Sequence, residues 1–271
     1  MPELPEVETT RRGIEPHLAG RRITTVTVRE PRLRWPVPGD LPARLTGHTI
    51  RAISRRAKYL LADIGDGTLI IHLGMSGSLR LVDPATPLRP HDHVEIRLDS
   101  GRCLRLHDPR RFGAVLWTRD DPSTHALLAR LGPEPLSDAF NEAYLHRSTR
   151  RRRVAIKQHL MNSHVVVGVG NIYASEALFL AGIRPGRAAG RLTRAECARL
   201  VQTIRQVLTE AIEQGGTTLR DFVREDGSHG YFGQHLRVYG RTGQACLTCE
   251  TPVKQLIQGN RSSYYCPACQ R

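Results

Sequence analysis

Residues 59–73 read YLLADIGDGTLIIHL, two short runs of strand-forming residues parted by Asp66-Gly67, a pair that favours the tight turn of an antiparallel hairpin. The same pattern recurs on either side. ITTVTV at 23–28, VEIRL at 94–98 and CLRLH at 103–107 are comparable runs, and Asp99-Ser100-Gly101 supplies a second turn. From Arg21 to about Trp117 the chain is therefore expected to form an antiparallel β-sandwich or barrel.

Upstream, PELPEVETTRRGIEPHLAG predicts a helix from Pro5 to Leu18, with proline in its first turn, acids early, and Arg11 and Arg12 later. Beyond Leu131 the apolar residues recur at spacings of three and four. This predicts helices near 138–147, 153–162, 171–181 and 193–214. Thr193 with Glu196 reads as a capping box, and Gly182 and Gly215-Gly216 read as stops. The class is α+β, with expected divisions at 1–130, 131–234 and 235–271. Arg150 to Arg153 is a short charge run of the kind that ordinarily forms a solvated face.

Lys and Arg number 40 against 26 Asp and Glu, a formal net charge of +14, which favours a polyanionic partner such as nucleic acid. No stretch approaches the roughly 20 apolar residues of a membrane span. No secretion signal opens the chain, so a cytoplasmic protein without a membrane partner is expected. Only Lys58, Lys157 and Lys254 are lysine, the other 37 basic residues being arginine. A G+C-rich genome accounts for the bias. An ammonium can nonetheless give up a proton where a guanidinium cannot, so these three positions are candidates for proton chemistry.

Cys246, Cys249, Cys266 and Cys269 form C-x2-C-x16-C-x2-C, the spacing of a tetrahedral thiolate zinc site. Four protein ligands leave no open position for water, so one structural Zn2+ and no catalytic cofactor are expected. Between the pairs, Gly259-Asn260 reads as the turn of a hairpin, which puts Arg261 beside its tip as a phosphate contact. Cys103 and Cys197 lie in apolar surroundings and read as packing thiols.

Considered together, PELPEVE at 2–8, RRAKYLL at 55–61, HLGMSGSL at 72–79, HDHV at 91–94, DPRRFG at 108–113, VVVGVGNIYASEALF at 165–179, GGTTLRDF at 215–222 and the four-Cys finger resemble the formamidopyrimidine-DNA glycosylase family over essentially the whole chain. Leu4 and Val7 resemble it more than the related endonuclease VIII, the alternative that would act on oxidised pyrimidines. The resemblance implies an N-terminal helix and β-sandwich, then a helix-two-turns-helix domain ending in a β-hairpin zinc finger. It implies a monomeric glycosylase and abasic-site lyase acting on double-stranded DNA that contains oxidised purines or abasic sites.

The residues carry a matching chemistry. Removal of Met1 frees the secondary amine of Pro2, which can attack an aldehyde-level carbon and form an iminium, an electron sink that makes loss of the flanking phosphates feasible. By resemblance this amine attacks C1′ of the damaged nucleotide, Glu3 protonates the sugar ring oxygen, Glu6 orients the site, and Lys58, expected on a strand following Arg55 and Arg56, contacts phosphate and donates a proton during elimination. Read without Pro2, Glu3, Glu6 and Glu8 would be simple helix-dipole partners. The base must leave the stack, and Met75, Arg110 and Phe112 match the side chains that fill the gap. His91 and Arg152 match backbone contacts, His72 lies near the pocket, and Asn171 with Arg261 grips the lesion's phosphates. Residues 215–232 match a loop over the everted base, where Arg220 stands in place of an expected lysine. Asn162 likewise replaces an expected aspartate.

Two other classes suit the charge. A non-catalytic finger protein would have no need of Pro2, Glu3 or Lys58. A metal-dependent nuclease would need a clustered set of open-site ligands, and none stands out.

Overall fold

The computed structural model describes residues 2–216 and 236–271. Arg220 and nearly all of the 215–232 loop lie outside them. The described chain forms two compact units, residues 2–129 with 215–216 and residues 130–214 with 236–271. No described helix is long and apolar enough to cross a membrane.

The first unit opens with α1 (Leu4–Leu18), which turns Leu4, Val7, Ile14 and Leu18 inward. It continues through β1 (Ile23–Val28), α2 (Leu41–Leu45), β2 (Ala52–Arg56), β3 (Tyr59–Asp63), β4 (Thr68–His72), β5 (Ser78–Val82), β6 (Asp92–Leu98), β7 (Cys103–His107) and β8 (Ala114–Thr118). These strands make two four-stranded antiparallel sheets, ordered β1-β6-β7-β5 and β2-β3-β4-β8. The 59–73 stretch is indeed a hairpin, with Leu60 opposite Ile71 and Asp63 opposite Thr68. Leu60, Ala62, Leu69 and Ile71 of one sheet share a core with Leu79, Leu81, Val94, Ile96, Leu104 and Leu106 of the other. The inner faces of two sheets filling one core define a sandwich. Glu95 and Arg105, cross-strand neighbours on β6 and β7, bury an ion pair at 2.7 Å, and Arg105 also donates to the carbonyls of Pro84 and Thr86.

The second unit holds α3 (Glu142–Thr149), α4 (Ile156–Leu160), α5 (Asn171–Leu180) and α6 (Arg194–Glu213), followed by the β9 (Lys254–Gln258) and β10 (Arg261–Tyr265) hairpin. Thr193 and Glu196 form the expected capping box. Two helices are shorter than their periodicity suggests. α3 starts only after Asn141, whose side chain accepts the Tyr144 N–H and caps it there. α4 starts after Ala155, whose backbone is committed to a bridge with Ala188. Gly259 and Asn260 both take positive φ, +53° and +59°, as a two-residue hairpin turn of this hand requires.

Candidate active site

The nucleophile candidate sits where α1 begins. Pro2 and Glu3 are buried, Glu3 at the cap position and Glu6 at the third helical position. The two acids form a capping box in which the Glu6 carboxylate accepts the Glu3 N–H at 2.8 Å. Glu6 therefore fixes the backbone from which Pro2 and Glu3 project. Gly216, at φ +82°, lies against Glu6, and a Cβ there would come within 3.2 Å of its side chain.

Glu8 is more than a dipole partner. Its carboxylate accepts from Arg11 at 3.0 Å, Arg12 at 2.9 Å and Arg55 at 3.1 Å. Burial pushes its pKa up, but the hydrogen bonds and charges of the arginines prevail and hold it at about 2. Since Arg55 belongs to β2, this cluster ties α1 to the strand that leads into Lys58.

Lys58 itself is not on a strand, as the sequence suggested. Arg56 pairs with Tyr59, so Ala57 and Lys58 form the two-residue turn between β2 and β3. The turn carries no Gly or Asn to announce it; Ala57 takes φ +56° instead. Burial first, then the charges of Lys58 and Arg34, push the His72 imidazole down to about 4, so it is neutral near pH 7. Neutral His72 packs against the Tyr59 ring at a 44° tilt, with the ring centres 4.7 Å apart, and accepts the Gly74 N–H at Nδ1.

The candidate gap-filling residues lie on two loops that cross between the sheets at one end of the sandwich. Met75 lies between β4 and β5, and Arg110 and Phe112 between β7 and β8. His72 pairs with Ala114, and Ser78 with His107, so the loops run side by side. Phe112 is 40% exposed and the Arg110 guanidinium lies 4.9 Å from its ring centre. His91, exposed and at φ +74°, precedes β6 at the same end, 6.1 Å from the His107 ring.

In the second unit, Asn171 is the first residue of α5, preceded by Gly168 at φ +78° and the extended cap residue Gly170. Sequence reasoning missed what holds it. Lys157 of α4 is 1% exposed, and its Nζ donates to Asn171 Oδ1 at 2.7 Å, Ser263 Oγ at 2.8 Å and the Ser262 carbonyl at 2.9 Å. Burying an ammonium costs several kcal/mol, so acceptors in this geometry are needed to hold it. One buried cation thus links Asn171 to the strand that Arg261 opens. Asn171 Nδ2 also donates to Tyr239 Oη at 3.3 Å, and Glu176 of α5 accepts the backbone N–H groups of Arg237, Val238 and Tyr239 at 2.8, 2.9 and 2.9 Å. The scarcity of lysine pointed to Lys157; nothing local pointed to Tyr239 or Glu176. Arg152 is exposed in the turn after α3, with its backbone against Gly190, and Asn162 is exposed and caps His164 N–H.

Replacing Lys157 by Met removes the charge while keeping the length, and each orphaned buried acceptor then costs about 1–3 kcal/mol. K157M is expected to lose about 1–3 kcal/mol of unfolding free energy in a denaturant titration, because the acceptors of Asn171, Ser262 and Ser263 stay buried without their donor. Zinc content should be unchanged; K157M that unfolds at the parent's midpoint excludes this role.

The Sγ atoms of Cys246, Cys249, Cys266 and Cys269 all lie within 4.8 Å of one another, with separations of 3.4 and 4.0 Å among them. Thiolates at 2.3 Å from a common tetrahedral centre are about 3.8 Å apart, whereas a disulfide requires about 2.05 Å. The four cysteines therefore fit a closed structural zinc site. Cys103 and Cys197 are fully buried elsewhere.

Comparison with known proteins extends over the same chain. Residues 1–115 match the family model of the formamidopyrimidine-DNA glycosylase N-terminal domain, residues 131–223 that of the formamidopyrimidine-DNA glycosylase H2TH domain, and residues 243–271 that of the zinc finger found in FPG and IleRS. A formamidopyrimidine-DNA glycosylase from Thioalkalivibrio sulfidiphilus is 79% identical over 271 residues, all of both chains. The crystal structure of the MutM (Fpg) protein of Thermus thermophilus superposes with a TM-score of 0.90 at 40% identity, covering 99% of this chain and 98% of that one. The Lactococcus lactis FPG (MutM) in complex with Fapy-dG-containing DNA gives a TM-score of 0.91 at 35% identity, covering 99% of this chain and all of the other.

Proposed function

Because this chain belongs to the formamidopyrimidine-DNA glycosylase family, DNA glycosylases of base excision repair, we propose that it excises oxidised purines such as 8-oxoguanine and formamidopyrimidines from duplex DNA and then cleaves the strand at the abasic site. The observation that carries this reading is the buried Pro2-Glu3-Glu6 arrangement at the start of α1.

Processing at Met1 exposes the Pro2 nitrogen, which attacks C1′ as the base departs. The nitrogen lone pair forms the new bond while the glycosidic bond breaks, its electron pair leaving with the base, which takes up the proton the amine gives up; the sugar ring then opens as its oxygen takes a proton from Glu3. The product is an iminium. Its positive nitrogen acidifies the neighbouring C2′, so a base can remove that proton and the 3′ phosphate leaves, followed by the 5′ phosphate. Glu6 holds the reacting segment in register, and Lys58 contacts phosphate and supplies a proton in the elimination. Met75 and Phe112 fill the vacated stack while Arg110 reads the orphaned base, where a guanidinium suits the acceptors of cytosine. His91, Arg152, Asn171 and Arg261 hold the backbone, and His72 borders the pocket. Residues 1–130 perform the chemistry, 131–234 grip the DNA, and 235–271 contribute Arg261 on a zinc-braced hairpin. The chain acts as a monomer in the bacterial cytoplasm.

Borohydride reduces an iminium to a stable amine, so it captures the intermediate. Incubation with a duplex bearing 8-oxoguanine opposite dC is expected to yield a covalent adduct whose peptide map places the sugar on the Pro2 nitrogen. Full cleavage with no adduct, or an adduct on another residue, rejects the mechanism.

A further inference from the structure

The two loops that carry Met75 and Arg110-Phe112 are joined by one buried carboxyl group. Asp108 has no solvent exposure. Its Oδ1 accepts from Ser76 Oγ at 3.1 Å, next to Met75, and its Oδ2 accepts the Gly113 N–H at 2.7 Å, next to Phe112. Its backbone reaches the histidines at the same end of the sandwich: the Asp108 N–H donates to the His91 carbonyl at 3.0 Å, and His93 Nε2 donates to the Asp108 carbonyl at 2.8 Å.

The loops also touch backbone to backbone. A Cβ on Gly74, which sits at φ +66°, would fall 2.4 Å from the Phe112 carbonyl carbon, and one on Gly113 would fall 2.7 Å from the His72 oxygen. Neither glycine can take a side chain without parting the loops. A polar group buried this completely must have its hydrogen bonds made, and here its acceptors are spent on the two loops that flank the gap-filling residues.

We propose that Asp108 is a positioning residue that couples the Met75 loop to the Arg110-Phe112 loop, so that the three side chains enter the DNA as one preassembled tool. The inference rests on the gap-filling roles given above. It makes Asp108 important where a stack has to be opened and refilled, and unimportant where there is none.

The test compares single-turnover cleavage of two substrates: a duplex with 8-oxoguanine opposite dC, and a single-stranded oligonucleotide with a preformed abasic site, which has no gap and no orphaned base. Asp108→Ala frees both loops. Misplacement by about 1 Å costs on the order of 100-fold, so D108A is expected to lose about that on the duplex and less than about threefold on the single strand. Asp108→Asn keeps an oxygen for Gly113 N–H and offers an amide donor to Ser76 Oγ, so it should recover to within about threefold on both. Ser76→Ala removes one tie only and is expected to show a selective loss of about 10-fold, which carries the test should D108A fail to fold. Parallel losses on the two substrates in S76A, no loss in either variant, or an Asn variant no better than Ala each overturn the proposal. If the unmodified protein cleaves neither substrate, the functional reading itself fails.

Discussion

Protein carrying an N-terminal extension ahead of Pro2 is expected to lose strand cleavage of 8-oxoguanine duplex by about 10³-fold or more, while its affinity for the same duplex changes little. The nitrogen is a nucleophile only as a free secondary amine. Once acylated, its lone pair is delocalised into the amide and no iminium can form, so the covalent route closes altogether. Binding is proposed to have other sources: Asn171, Arg152 and Arg261, the proposed phosphate contacts, belong to a separate compact unit, and phosphate contacts supply most of the affinity for DNA. The measurement is a single-turnover rate beside an equilibrium titration at fixed salt. An extended protein that cleaves at the parent rate contradicts the assignment, and one that loses affinity in step with rate shows that the extension blocks DNA rather than chemistry.

Removing the zinc should have the second largest effect. Among the described residues the finger's buried apolar cluster is Val238, Val253 and the thiols of Cys246 and Cys266, set against Phe179 of α5, with Leu180, Tyr264 and Cys269 only partly buried around it. Full burial of a Val or Phe contributes about 1.5–3 kcal/mol, whereas structural zinc in a finger contributes about 10–16 kcal/mol. The metal dominates, and without it the β9–β10 hairpin has too little to hold it. Ser262 and Ser263 then no longer meet the Lys157 ammonium, and Arg261 loses its rigid support. Chelation, or Cys266→Ser, is expected to abolish amide protection across 254–265 and reduce duplex cleavage by about 100-fold or more, while the sandwich keeps its own protection. Apo-protein with a protected hairpin and full cleavage disproves the structural role of the metal.

The sandwich, the long helix α6 with its cap, and the four-Cys finger were all legible in the chain because each depends on local regularities. Alternation of apolar residues, a Thr-x-x-Glu cap and paired turns of two cysteines are set by neighbours a few positions apart. The Pro2, Glu3 and Glu6 grouping was legible for the same reason: three residues of spacing bring the last two together whatever the rest of the protein does. Lys58 was misplaced by one step, since Ala57 adopts a turn conformation that its own side chain does not favour and that the antiparallel pairing of β2 with β3 imposes.

By itself, then, the sequence determined the class of fold, the family and the metal site, and it singled out Pro2 as the candidate nucleophile. Only the tertiary structure decided how the supporting residues are joined. Lys157 meets Ser262 and Ser263 across separations of 105 and 106 residues, and Asp108 meets Ser76 across 32. Such partners leave no periodic trace in the chain. They are selected when burial removes water and every donor and acceptor left inside must find another, a condition that exists only once the core has closed.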